Sequence, residues 1–316
     1  MNDIDPKSRN QSDVKTLNLL MNVSLVVGVF MLIVKMYALW ITRSAAILSD
    51  AAESVVHVVA VVFAAYSLRL ARKQADRTHN FGYDRISFFS AGFEGAMIVL
   101  AAIYILYEAF HKFIEGPQLQ ELGIGTGVEA LALVINGVLG FALLSIGKKK
   151  NSLIIEANGR HTLVDSITSI GVLLGLLLCL FGKNPWFNSY YFDPIFAALV
   201  AINILKEGLS LISRSFSGLM DIVSPAEEKA IETYLSEICG GLGVRMHELR
   251  VRNSGTRYWF QFHLVFPDEY LLADAHEVAT SIEKLVEERW EGAVTTTHLE
   301  TRSDHDKLHQ HGAQRT

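Results

Sequence analysis

Apolar side chains fall in long blocks over the first two thirds of the chain and then give way to short alternations. A block of about 20 such residues, roughly 30 Å as a helix, crosses a bilayer core. Six blocks are found, at 17–41, 44–70, 86–113, 122–147, 153–182 and 190–217. Glu115-Gly116-Pro117 separates the third from the fourth, and Gly182-Lys183-Asn184-Pro185 the fifth from the sixth; both are turn signals. Met1 to Lys15 is polar and acid-rich, unlike the basic start of a secretory signal. The first block also exceeds a signal's apolar core, so it is expected to be a retained helix.

Near Ile222 the period changes. Ser224-Pro225-Ala226-Glu227-Glu228 predicts a helix start, with Ser as cap, Pro in the first position and acids in the first turn. His247–Arg252 and Tyr258–Phe266 alternate apolar and polar as strands do. Ala273–Arg289 has helical periodicity, and Ala293–Leu299 is a Val/Thr-rich strand. The predicted fold class is an α-helical polytopic membrane domain of six transmembrane helices followed by a small α+β cytoplasmic domain. The expected domains are an N-terminal tail at 1–16, the six-helix domain at 17–217, the α+β domain at 222–301 and a disordered, His-containing tail at 302–316.

Charge sets the orientation. One set of segments between and beside the spans carries Lys7, Arg9, Lys15, Arg69, Arg72, Lys73, Arg77, Arg85, Lys148, Lys149, Lys150 and Arg160, while the alternate set carries only Arg43, Lys112 and Lys183. Lys and Arg stay on the inner side, so both termini are expected in the cytoplasm. The whole chain has 28 basic and 33 acidic side chains, a net charge of −5, and no basic tract, which argues against nucleic-acid binding. Residues 222–301 hold seven basic against fourteen acidic groups, a balance that suits a cationic ligand. Cys179 and Cys239, one in an apolar run and one in a polar region, are expected to be free thiols.

Ionisable residues inside a span are costly, about 2.5–3.5 kcal/mol at mid-bilayer, and so mark function. The second span contains Glu53 and His57, four apart and therefore on one helix face, with Asp50 three residues before Glu53 on the same face. The fifth span contains His161 and Asp165 at the same spacing. Face to face, Glu53, His57, His161 and Asp165 supply two nitrogens and two oxygens, enough for a tetrahedral divalent-cation site. Pairing among themselves as structural hydrogen bonds is the alternative for any one of them. Glu94 and Glu129 are single acids with no partner visible in sequence and are assigned a structural role. Glu108 and Lys206-Glu207 are expected near helix ends or in local pairs.

With these features in place, the sequence resembles the cation diffusion facilitator family of metal/proton antiporters over about residues 15–301. The resemblance rests on the six spans, the paired residues of the second and fifth, the loop Asp76-Arg77-Thr78-His79-Asn80-Phe81-Gly82-Tyr83, and Asp193-Pro194 opening the sixth span. It implies a homodimer in a lipid bilayer whose transport site is Glu53, His57, His161 and Asp165. His161 and Asp165 match the family pattern, whereas Glu-then-His on the second helix departs from it and leaves the metal open. A second family site would use Asp76 and His79, but its last position is Tyr83, a poor zinc ligand. Arg85 and Asp221 match a cation–anion contact of the family. In the cytoplasmic domain His247, His263, His276, His298 and Glu300 fall where zinc-transporting members hold a binuclear site. His-x-Glu on a strand points both side chains to one face. The last fifteen residues, with His305, His309 and His311, are expected to chelate at most weakly.

The expected function is efflux of a divalent transition metal against protons by alternating access. Zinc comes first and iron(II), cobalt and nickel are compatible, while manganese is disfavoured by two imidazoles. The metal is expected as substrate and as regulatory ligand, with no organic cofactor, and the expected location is a bacterial inner membrane. One alternative is a metal-responsive receptor or scaffold that switches its cytoplasmic dimer without transport. An intramembrane metalloenzyme lacks a His-Glu-x-x-His run, and an ion channel would be held up by ligands of such high field strength.

Overall fold

The computed structural model describes residues 6–42, 45–115, 124–181, 192–290 and 292–310, with some side chains inside the helices left out. The described residues form six long helices: α1 (Pro6–Thr42), α2 (Ala45–Leu70), α3 (Ile86–Glu115), α4 (Ile124–Lys149), α5 (Leu153–Phe181) and α6 (Phe192–Leu219). They are followed by α7 (Pro225–Gly241), β1 (Arg245–Asn253), β2 (Tyr258–Phe266), α8 (Leu272–Arg289), β3 (Val294–Thr301) and α9 (Arg302–Gln310). The chain divides into two compact units between Phe216 and Ser217.

The first unit is an inside-out helical bundle. Asp13–Ala38, Ile86–His111 and Ala130–Lys149 are long and apolar enough to span a membrane, with mean hydropathies of 2.4, 1.9 and 2.2, and α2 has a shorter apolar stretch at His57–Leu70. Their large apolar side chains face outward, Val26, Ile33, Phe110, Val138 and Phe141 among them, while Ser24, Ser90, Glu94, Asn158 and His161 are buried. In lipid this polarity follows from where the solvent is: tails cover the apolar faces, and polar groups must find partners within the bundle. α1 begins at Pro6, eleven residues before the expected span, because Pro opens a helix without losing a needed N–H. Polar side chains farther along are held by neighbouring segments: Arg72 Nη1 donates to Asn18 Oδ1 at 2.6 Å, and Lys150 pairs with Asp13.

α4 and α5 pack most closely, through glycine. A Cβ built on Gly159 would lie 2.5 Å from Leu144 N, and one on Gly147 would lie 2.6 Å from Glu156 N, so only a hydrogen fits at either place. Such small residues let helix backbones approach where lipid gives no hydrophobic drive to association. Across the bundle, buried Asn158 of α5 donates to Ser24 of α1 at 2.9 Å.

The second unit is a three-stranded sheet of order β1-β2-β3, antiparallel between β1 and β2 and parallel between β2 and β3. Ser224 caps α7, accepting from Glu227 N at 3.3 Å, with Pro225 at the first position. Phe260, Phe262, Leu264 and Phe266 of β2 point to one face and form a core with Ile231, Leu235 and Cys239 of α7 and Ala279, Ile282 and Val286 of α8. Cys239 is a free thiol as expected, pushed up to about 11 by burial; Cys179 lies outside the described residues. Beyond β3 the expected disordered tail is instead helical over Arg302–Gln310. Thr301 makes the reason visible: Asp304 N donates to Thr301 Oγ1 at 3.3 Å, an N-cap hydrogen bond, and that hydroxyl donates in turn to Asp304 Oδ2 at 3.1 Å.

Candidate metal centres

In the helical unit, α2 and α5 bring His57, His161 and Asp165 together. One ligand atom from each lies within 4.8 Å of the others. His57 Nδ1 is 2.9 Å from Asp165 Oδ2, His161 Nε2 is 3.9 Å from Asp165 Oδ1, and the imidazole rings are 4.9 Å apart. His57 Nδ1 is nonetheless buried without a hydrogen bond of acceptable direction among the described residues. Two imidazoles and a carboxylate this close together offer the donor atoms that a divalent cation takes. The helix spacing explains the α5 pair, since His161 and Asp165 are one turn apart. Gly28 of α1 lies beside the third member: a Cβ there would be in ordinary contact with the His57 ring at 3.6 Å. The side chains of Asp50 and Glu53, the other expected ligands, lie outside the described residues, as does that of Glu129.

Glu94, a single acid with no partner visible in sequence, has a neighbour in the structure. It lies on α3 with 1% of its surface exposed, and its Oε2 is 3.3 Å from His161 Nδ1. The signal was present in the sequence as a carboxylate in the middle of an apolar span. Glu207 departs from the expected local pairing, because it pairs with Arg160 across α5 and α6. Arg160 Nη2 is 3.0 Å from Glu156 Oε1, and Arg214 of α6 grips Glu156 with two hydrogen bonds, at 2.6 and 3.1 Å.

The loop with Asp76 and His79 is built by hydrogen bonds. Asp76 Oδ1 accepts from Thr78 N and His79 N, and Oδ2 accepts from Tyr83 Oη at 2.6 Å and Lys73 Nζ at 2.9 Å. The hydrogen bond from Tyr83 first, then those from Lys73 and Thr78, hold the carboxyl well below the usual carboxylate range. The His79 ring stacks on Tyr83 at 4.1 Å. Tyr83 thus converts the family's ligand position into a donor that occupies the acid. Arg85 lies just before α3, and Asp221 lies just after α6, in the other compact unit.

In the second unit the register of the sheet lines up three histidines. His247 of β1 pairs with His263 of β2, which pairs with His298 of β3. Registered neighbours share a face, and it is the face opposite the Phe260–Phe266 core. Glu300, two residues after His298, joins them: its Oε2 is 3.0 Å from His247 Nε2 and its Oε1 is 2.7 Å from His263 Nδ1. The His298 Nε2 is 3.8 Å from Glu300, its ring 67% exposed. Burial alone would raise the Glu300 carboxyl, but the hydrogen bonds to His247 and His263 outweigh it and hold it below its ordinary value. His247 is lowered, chiefly by burial. A fifth member comes from α9, where His305 Nδ1 is 3.4 Å from Glu300 Oε2 and its ring is 4.4 Å from that of His247. His247, Glu300 and His305 form a set with ligand atoms within 4.8 Å. The expected ligand His276 is exposed on α8 and has no part in these contacts. The polar composition of the tail hid His305; Thr301 as an N-cap residue was the cue to a helix there.

Comparison with known proteins agrees with both units. Residues 21–220 match the cation efflux transmembrane domain and residues 223–302 the cytoplasmic domain of cation efflux proteins. The chain is similar to a transporter, sll1263, of Synechocystis sp., 33% identical over 271 residues that cover 85% of this chain and 86% of the relative. It is 28% identical over 253 residues to a cadmium, cobalt and zinc/H(+)-K(+) antiporter of Bacillus subtilis, covering 79% of this chain and 78% of the relative. It is 26% identical over 269 residues to the cation-efflux pump FieF of Salmonella newport, covering 85% and 87%. Two family domains in the order the fold requires, and relatives along most of its length, make this chain a member of the cation diffusion facilitator family of membrane transporters, not an enzyme.

Proposed function

We propose that the protein exports a divalent transition-metal cation from the cytoplasm in exchange for protons, with zinc the first candidate and iron(II), cobalt and nickel compatible. The observation that carries this is the convergence of His57, His161 and Asp165 between α2 and α5, one ligand atom of each within 4.8 Å of the others. Glu53, one helical turn before His57 on α2, is the fourth ligand in this proposal, and Asp50 a further turn back is held in reserve. Two imidazoles and two carboxylates form a borderline donor set that suits zinc. The Bacillus subtilis relative's name pairs cadmium, cobalt and zinc with protons.

Coupling follows from the ligand chemistry. A metal needs the imidazole nitrogens and carboxylate oxygens without their protons, so protons and metal compete for the same atoms. Cation enters from the cytoplasm, the helices rock to open the site outward, and protonation there releases it. Deprotonation on the inner side restores affinity. The bias of Lys and Arg supports cytoplasmic termini, and a bacterial inner membrane is the proposed location. The cytoplasmic unit would pair with a second copy, as a homodimer, and His247, His263, His298, Glu300 and His305 would hold regulatory metal there. His276 and the Asp76–His79 loop have weaker claims.

Uptake into proteoliposomes tests this, with zinc, iron(II), cobalt, nickel and manganese offered singly under an imposed pH gradient. Flux of at least one metal should follow the gradient and disappear in His161→Ala and Asp165→Ala. No flux of any metal, with metal still bound by the cytoplasmic unit, would overturn transport and favour a receptor.

A further inference from the structure

We propose that Glu94 is a positioning residue for the transport site, its carboxylate accepting Nδ1–H of His161 so that Nε2 is left to face Asp165 and His57. This rests on the transport reading and adds a residue on a third helix to it.

Glu94 Oε1 and Oε2 and His161 Nδ1 are all buried, and none of them has a hydrogen bond of acceptable geometry among the described residues. A buried carboxylate without a donor is strongly unfavourable. The two unsatisfied groups stand 3.3 Å apart, close to hydrogen-bond distance. Chemistry decides the tautomer. If neither group carried a proton, a lone pair would face a carboxylate oxygen; with the proton on Nδ1 the contact becomes a charge-assisted hydrogen bond, and a proton on Glu94 instead would leave Nε2 protonated, the arrangement that the test below detects. The Nε2 lone pair is then free on the side where Asp165 Oδ1 lies 3.9 Å away. Two ligand atoms of a tetrahedral zinc, each about 2.0–2.1 Å from the ion, are about 3.3 Å apart, so this pair would close by about half an ångström around the ion.

Glu94 is not itself a member of the close set, whose ligand atoms belong to His57, His161 and Asp165. A carboxylate behind a ligating imidazole is the recurrent means by which proteins fix tautomer and ring orientation. Packing fixes where Glu94 points. Its neighbour Gly95 lies so close to α6 that a Cβ there would be 3.1 Å from Gly208 O, which holds α3 in place while Glu94 is directed at α5.

The test is transport kinetics in proteoliposomes of the full chain, with zinc as the probe. Glu94→Ala should raise KM about 10–100-fold, the usual effect of losing such a carboxylate, with a much smaller change in kcat. Glu94→Gln keeps an oxygen that accepts Nδ1–H but makes a poor ligand, so it should remain within about fivefold of wild type, the difference between a charge-assisted and a neutral hydrogen bond. Glu94→Gln as impaired as Glu94→Ala would overturn positioning in favour of direct ligation. Wild-type KM in Glu94→Ala would overturn it in favour of a structural role while leaving the transport reading intact. Absence of wild-type flux with zinc and with every other metal offered would overturn both. Should Glu94→Ala not fold, the 15N ring shifts of His161 in the wild type decide the matter, assigned by their loss in His161→Ala: the Nε2–H tautomer would sink the proposal.

Discussion

An imidazole holds metal at neutral pH only if it is not already holding a proton. His247 is suited to this because burial lowers its pKa below the ordinary 6.5, and the opposing hydrogen bond to Glu300 does not restore it. Glu300 is lowered as well and stays ionised throughout the physiological range. The sign follows: above the ordinary histidine range His247 is neutral whether or not metal is present, and proton competition at it begins only at lower pH. Zinc titrated into full-length protein carrying His161→Ala, to silence the membrane site, should bind with an affinity nearly constant from pH 8 to 7. It should then fall at lower pH as protons compete for the imidazoles, by up to about tenfold per pH unit for each histidine that must lose its proton. An affinity that rose with acidity would exclude imidazole ligation. At this scale much was legible in sequence. His161 and Asp165 are one turn apart by counting, and His298-x-Glu300 shares a face by the period of a strand. Glu94 was not, because its partner sits on another helix, and a single acid carries no spacing to read.

Between elements, backbone proximity decides how well ligands are held. Gly159 lies two residues before His161, and any Cβ there would run into Leu144 N at 2.5 Å and its Cα at 2.9 Å. These are backbone atoms and cannot swing aside. Gly159→Ala should therefore push α4 off α5 and destabilise the protein by about 1–3 kcal/mol, the range seen when a close-packed site is overfilled. A thermal melt in detergent reads this as a lowered midpoint, and zinc KM should rise with it because His161 moves; an unchanged melt would show that the helices have room. Six long helices were foreseeable from apolar block length. Their contacts were not, because packing depends on which small residues meet, and glycines occur along α4 and α5 without marking which ones touch. The row His247, His263 and His298 depends on strand register, which alternation alone leaves undetermined.

For the whole molecule, the change in patterning near Ile222 lies beside the division at Phe216 and Ser217. Each unit buries its own apolar set, and in the second unit the core and the histidine row lie on opposite faces of one sheet. Chelating metal should then leave the sheet folded. In hydrogen exchange on the full chain, amides of Phe260–Phe266 should keep their protection in EDTA, while those of α9, tied through His305, should exchange faster. Loss of protection at Phe260–Phe266 would mean that metal is part of the fold. Where sequence reasoning fell short at this scale, it judged the final segment by its polarity and overlooked Thr301 and Asp304, which make its helix start.

The separation of faces also shapes what evolution can do with this domain. Residues that bear the weight of folding point one way, and residues that choose an ion point the other, so an exchange of His for Asp or Cys on the ligand row costs little of the architecture beneath it. A lineage facing a different metal in its surroundings can rewrite the selective face one side chain at a time and keep the same scaffold throughout.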